Sequence, residues 1–260
     1  MDTISTELYH PSGYTVSARS EIGSRSSQQD CVLVYGEGTT LFAVLCDGMG
    51  GTEHGGMASR RTVSVLRGLI SKREIYDMAL ERPGDFLHLA LESSDSTVSG
   101  DVGLQGSGTT LTMLLLNGRQ AYWASVGDSR LYILRGKEMV QATRDHNYRL
   151  CLDELKAQGR IGQQRYVEEL VRGRALVSYI GMGGLQLFDL TQHPMPIYPG
   201  DIFLLTSDGL TGLLSDAEIQ SVLESDDSLE QRGDRLAKMA LVRGQSRSMD
   251  NTTFVLIQTM

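Results

Sequence analysis

Two apolar runs in this chain end on the same dipeptide. Residues 41–46 stop at Asp47-Gly48, and residues 202–206 stop, after Ser207, at Asp208-Gly209. A short uninterrupted apolar run bounded by turn formers reads as a strand buried on both faces. Each run therefore delivers a carboxylate at its tip, with a glycine next so that the backbone can turn sharply or lie close to a ligand. Two further acidic points share this pattern. Residues 124–126 lead into Gly127-Asp128, and Asp250-Asn251 precedes a last apolar run at 252–258. Aspartates gathered at strand ends repel one another unless positive charge lies between them. A divalent cation held through oxygen ligands answers that need most simply.

The bulk composition narrows the classes. A chain of 260 residues fits one large α/β or α+β domain, or two small ones. With 40% hydrophobic and 22% charged residues it is ordinary globular material rather than a disordered chain. The net charge of −8 argues against nucleic acid or an anionic membrane as partner. Cys31, Cys46 and Cys151 are odd in number and far apart, with no disulfide framework or zinc spacing. Cys31 and Cys46 fall in apolar runs and read as buried free thiols, which favours a reducing cytoplasm. The first ten residues carry Asp2 and Glu7 but no Lys or Arg, and no apolar stretch follows, so a secretory signal is not expected. No apolar run approaches the roughly 18–20 residues of a membrane helix.

Strand patterns fall at 14–18, 31–35 and 41–46, the last two joined by a Gly36-Glu37-Gly38 break that predicts a hairpin. Residues 55–72 shift to helical period, with Ala58, Thr62, Leu66, Leu69 and Ile70 on one face, and a second helix is predicted over 85–98. Residues 109–116, 120–126 and 130–134 read as three sequential antiparallel strands, turned by Asn117-Gly118 and followed by a turn at 135–137. A polar, mostly helical insert at 145–174 follows. Strands at 185–190, 202–206 and 252–258 and helices at 216–224 and 228–242 complete the pattern, with Ser215-Asp216-Ala217-Glu218 suited to a helix start. Hairpin strands with paired helices predict an α+β layered domain.

The acidic points in order are Gln29-Asp30, Asp47-Gly48-Met49-Gly50-Gly51, Gly127-Asp128-Ser129-Arg130, Ser207-Asp208-Gly209 and Asp250-Asn251. Order and surroundings resemble the metal-dependent protein phosphatases, the phosphatase 2C family, in its bacterial form, from about Arg25 to Ile257. A single Asp-Gly marks only a turn; the series carries the resemblance. It implies one catalytic domain over 1–260, built as a four-layer αββα sandwich. Two antiparallel β-sheets would pack face to face between helix pairs, with a flap insert at about 147–178.

By the same resemblance Asp47 bridges two Mg²⁺ or Mn²⁺ ions and the Gly48 carbonyl adds a ligand. Asp208 and Asp250 are terminal ligands, Asp30 lies near the second metal, and Asp128 helps hold a possible third ion. Arg25 grips the substrate phosphate, and Asn251 lies close to the metals. The implied activity is serine/threonine protein phosphatase, by direct attack of a metal-bridging water or hydroxide. The implied partners are phosphorylated proteins, including a Hanks-type kinase and its substrates, and the expected state is a cytoplasmic monomer. Gly106-Ser107-Gly108-Thr109-Thr110 matches the family's entry to a central strand and reads as close packing.

The chemistry agrees. Phosphate ester hydrolysis needs very large barrier lowering, two metals orient the ester and lower the pKa of water, hard oxygen ligands select magnesium or manganese, and a guanidinium holds two phosphate oxygens. No Cys-x5-Arg loop surrounds any cysteine. Two departures stand out. Gln28 replaces the family's Asn. Thr52 stands where many members have His, with His54 two residues later and read as a surface side chain. His146, after Asp145, reads as packing at the flap base. Arg160, Arg165, Arg172 and Arg174 could meet acidic phosphopeptides, although a solvated helix face is the plainer reading. Two alternatives to the main reading stand: a catalytically silent phosphoprotein-binding regulator, and a phosphatase of a stress-response sigma-factor regulator.

Overall fold

The computed structural model describes residues 4–9, 12–50, 54–246 and 248–260, and for 5–9 the backbone only. The readings made at Thr52 and in parts of the first ten residues lie outside the described residues. Strands β1 (Ile4–Tyr9), β2 (Tyr14–Glu21), β3 (Asp30–Glu37) and β4 (Thr40–Met49) lead into helices α1 (His54–Ile70), α2 (Arg73–Glu81) and α3 (Pro83–Ser99). Then come β5 (Gly108–Thr109), β6 (Leu111–Asn117), β7 (Gln120–Val126), β8 (Arg130–Arg135) and β9 (Glu138–Gln141). The insert holds α4 (Tyr148–Ala157) and α5 (Gln163–Glu169). After it run β10 (Asp189–Leu190), β11 (Met195–Pro196) and β12 (Ile202–Thr206), then α6 (Asp208–Thr211), α7 (Asp216–Leu223), α8 (Leu229–Gly244) and β13 (Thr252–Thr259).

Two sheets result. The first runs β1-β3-β4-β6-β7-β10, with β11 also on β7 and β5 on β4; the second runs β2-β13-β12-β8-β9. The described pairings are antiparallel except that β1 lies parallel to β3 at the sheet edge. Strand alternation sorts the core into three layers. Leu41, Ala43 and Leu45 of β4 meet Phe203, Leu205, Val255 and Ile257 between the sheets. Phe42, Val44 and Cys46 face the other way, against Ala58, Val63 and Leu66 of α1 and Phe86, Leu87 and Ala90 of α3. Ile202, Leu204, Phe254 and Leu256 face Ile219 and Val222 of α7 and Leu236 and Ala240 of α8. Burial on both faces is why these strands carry no alternation. The result is the four-layer sandwich.

The helix start at 216 carries the expected cap, and the start at 229 carries a matching one that the sequence reading did not name. The Ser215 N–H donates to Glu218 Oε2 at 2.9 Å, and the Ser228 N–H donates to Gln231 Oε1 at 2.9 Å. Helix α2 has no counterpart in the sequence reading. Its charged sequence hides a two-residue footing, Tyr76 and Ala79, and Tyr76 joins an aromatic cluster with Phe42 (5.9 Å) that continues to Phe86 (5.5 Å).

Two strand expectations need correcting. The segments at 120–126 and 130–134 do not pair. β6 and β7 form the Asn117-Gly118 hairpin, but β8 crosses to the second sheet and pairs with β12 and β9. The crossing occurs at Gly127, at φ +99°, where a Cβ would lie 2.5 Å from Thr110 Cγ2. Of residues 185–190 only 189–190 pair as strand, because the preceding backbone is otherwise engaged: the Leu187 carbonyl accepts from the buried Ser178 hydroxyl at 2.6 Å.

Candidate active site

Both Asp-Gly steps lie where backbone meets backbone. A Cβ on Gly48 would stand 2.1 Å from the Gly55 carbonyl oxygen, and one on Gly209 would stand 2.0 Å from that of Asn251. The glycines thus serve close approach to neighbouring chain, neither at positive φ, and they let the α1 start and the β13 start press against the carboxylate-bearing strand ends. Asp47 lies on β4, Asp128 in the β7–β8 crossing, Asp208 opens α6, and Asp250 precedes β13. All four line one cavity of about 390 Å³ together with Arg25, Gly48, Thr110, Arg174 and Leu176.

Asp47 is held by its own backbone. Its N–H donates to Thr110 Oγ1 at 2.9 Å, and its carbonyl accepts from the Thr109 hydroxyl (2.9 Å) and the Thr110 N–H (2.8 Å). The Gly-Ser-Gly-Thr-Thr segment therefore packs closely, as expected, and also fixes this carboxylate. Burial raises the Asp47 pKa well above the usual range, and Asp30, Asp208, Asp128 and Asp250 push it further. Asp128 rises to about 7 through burial, then the charges of Asp208 and Asp145. The nearby cation Arg130 is committed to Asp145 by a two-pronged ion pair at 2.8 and 2.7 Å. Asp208 is likewise raised by burial and then by Asp250, against the opposing pull of Arg174 and Arg25.

Asp30 takes a different place. It stands opposite Asp47 across the β3–β4 ladder, 2% exposed, and lies behind the cavity wall rather than in its lining. Its Oδ2 accepts from the Ser207 hydroxyl at 3.0 Å, while its buried Oδ1 has no hydrogen-bond partner. Burial pushes this carboxyl up to about 7. Arg25, half exposed, donates from Nη2 to Asp250 Oδ2 at 2.5 Å.

Asn251 stays out of the cavity, 3% exposed, and organises the loop that carries Arg25. Its Oδ1 accepts from the Gln29 N–H (2.9 Å), and its Nδ2 donates to the carbonyls of Ile22 (2.9 Å) and Ser27 (3.1 Å). Gln28 extends the same network. Its Nε2 donates to Ser20 Oγ at 2.8 Å and its Oε1 accepts from the Asp30 N–H at 3.0 Å. The extra methylene relative to Asn is thus spent on β2.

His54 begins α1, exposed and outside the cavity lining. His146 is fully buried beneath the insert, with Nε2 3.5 Å from Asp189 Oδ1. Cys31 and Cys46 are buried free thiols and Cys151 is half-buried. Arg174 is the lining residue that sequence reasoning undervalued. It reads as one exposed charge among several, and only the fold of the insert brings it over the carboxylates.

The donor set suits hard divalent cations: it consists of oxygens alone, its carboxylates repel, and Asp30 Oδ1 is a buried acceptor without a donor. Among the described residues no three acidic, histidine or cysteine side chains are drawn closely enough together to hold an ion as they stand. Asp250 is engaged by Arg25.

The protein phosphatase 2C family model matches residues 23–164. Protein phosphatase PhpP of Streptococcus pneumoniae is 32% identical over 247 residues, 93% of this chain and 96% of that protein. The serine/threonine phosphatase of S. agalactiae superposes with a TM-score of 0.81 at 27% identity, over 95% of this chain and 100% of that one. The catalytic domain of the phosphatase PstP in complex with two manganese ions superposes with a TM-score of 0.75 at 28% identity, over 95% and 99%. The chain belongs to the protein phosphatase 2C family.

Proposed function

We propose that this chain removes phosphate from phosphoserine and phosphothreonine in proteins, at the cavity walled by Asp47, Asp128, Asp208, Asp250 and Arg25. One observation carries the reading: carboxylates from four separate segments of the chain line the same cavity as a half-exposed arginine. In this assignment Asp47, the Gly48 carbonyl, Asp208 and Asp250 would hold two Mg²⁺ or Mn²⁺ ions. Asp30 would support this set from behind, and Asp128 would serve a third ion where one binds. When bound, such ions neutralise phosphate charge and lower the pKa of water.

The chain's own groups do the rest. Thr109 and Thr110 fix the Asp47 backbone, and Asn251 and Gln28 fix the loop of Arg25. Arg25 can exchange its Asp250 partner for two oxygens of an incoming phosphate, giving the substrate a bidentate anchor. Arg174 adds positive charge from the insert side. The partners in this reading are phosphorylated proteins, a Hanks-type kinase and its substrates among them, and the chain works as a cytoplasmic monomer. No helix among the described residues is long and apolar enough to cross a membrane.

Initial rates on phosphoserine, phosphothreonine and phosphotyrosine peptides, with manganese and with chelator, test the reading. The first two peptides should turn over only with metal, and Arg25→Ala should chiefly raise KM. Turnover that survives chelation, or full activity in Asp47→Asn, would rule the site out.

A further inference from the structure

The insert is poorly anchored by its own packing: α5 buries no residue and α4 buries only Leu152. Its position must come from its roots. The first root is tied to the second by Tyr148 N–H to Ala175 O (2.8 Å) and Val177 N–H to His146 O (3.0 Å). The second continues into a two-way backbone pairing, with the Ile180 N–H on Thr109 O (2.9 Å) and the Thr109 N–H on Ile180 O (3.0 Å). Beyond it lie Gly181, Gly183 and Gly184 at φ +108°, +77° and +123°. A loop of three such glycines has the largest conformational freedom to lose and does not hold itself.

Asp95 of α3 holds it. Its carboxylate is 4% exposed. Oδ1 accepts from the N–H groups of Gly181 (2.8 Å) and Gly183 (3.3 Å), and Oδ2 from that of Gly184 (2.7 Å). A buried carboxylate is tolerated only when well hydrogen-bonded, and here the donors are backbone amides of a single loop. We infer that Asp95 is a positioning residue: it clamps the 181–184 loop to α3 and so sets the insert, with Arg174 and Leu176, over the cavity. The same loop end meets Thr109, whose hydroxyl bonds the Asp47 backbone carbonyl, so two hydrogen bonds link Ile180 to the Asp47 backbone.

The kinetic consequence rests on the phosphatase reading; the clamp itself does not. Asp95→Asn has one acceptor oxygen where two are needed, so one end of the clasp is lost. Hydrogen exchange at the Gly181, Gly183 and Gly184 amides should speed about tenfold. KM for a phosphothreonine peptide should rise about fivefold, while kcat on p-nitrophenyl phosphate, too small to need the insert, stays within about twofold. Asp95→Ala should exaggerate the exchange effect; should it not fold, Asp95→Asn decides. Unchanged exchange overturns the clamp. Faster exchange with an unchanged peptide KM, or parallel losses on both substrates, overturns its positioning role. A wild-type protein inactive on every phosphoester would defeat the proposed function alone, since exchange still reads the clamp.

Discussion

Asn251→Ala offers the sharpest test of how the Arg25 loop is built. The carboxamide accepts from the Gln29 N–H and donates to the Ile22 and Ser27 carbonyls, at 2.9, 2.9 and 3.1 Å, in a site 3% exposed. Alanine removes all three at once. At about 1 kcal/mol net per hydrogen bond, the loss is about 3 kcal/mol, with water softening it at the more open Ile22 end. For a domain of this size that lowers the melting temperature by roughly 6–12 °C. Asn251→Asp sharpens the test. It keeps the acceptor for Gln29 but turns an oxygen toward two carbonyl oxygens, so it should destabilise at least as much as alanine. Urea and thermal unfolding read both variants. Asn251→Ala within about 0.5 kcal/mol of wild type, or Asn251→Asp as stable as wild type, would refute the network.

Other outcomes follow from the same geometry. Gly209→Ala sets a Cβ against the Asn251 carbonyl oxygen, and should cost about 3 kcal/mol or more; a soluble variant with unchanged melting would contradict the packing. Asp189 is held down to about 2: burial raises it, but His146, the Arg144 N–H and the Arg144 side chain outweigh that. With an unfolded value near 3.9, the depressed native value stabilises the fold above about pH 4, and this is lost as pH falls toward 2. Wild type should lose on the order of 2 kcal/mol more than Asp189→Asn across that window; identical pH slopes would refute the assignment.

The layers and four cavity carboxylates were legible because strands buried on both faces write themselves as unbroken apolar runs, and an aspartate stands close to each run's end, followed by glycine at Asp47 and Asp208. The same local signals say nothing of where a chain goes next. Gly127 looks like any turn, yet it sends β8 to the other sheet, because a neighbouring Thr110 rather than local turn chemistry shapes it. Helix α2 gives no apolar stripe in the sequence, since a footing of Tyr76 and Ala79 leaves most of its surface polar. Asp30 matches its motif but stands behind the cavity wall, a consequence of ladder register that composition does not reveal. Arg174 is likewise a product of tertiary placement, and Asp95 gives no sign in sequence, where it is one more acidic residue on a helix.

In the proposed chemistry, Asp47 and its neighbours gather the cations. Calorimetric titration of manganese into the chelator-stripped protein measures this directly. Two ions should bind wild type, and Asp47→Asn should lose at least one of them while remaining folded. An identical titration for the variant, or no binding by the folded wild-type protein, would contradict it.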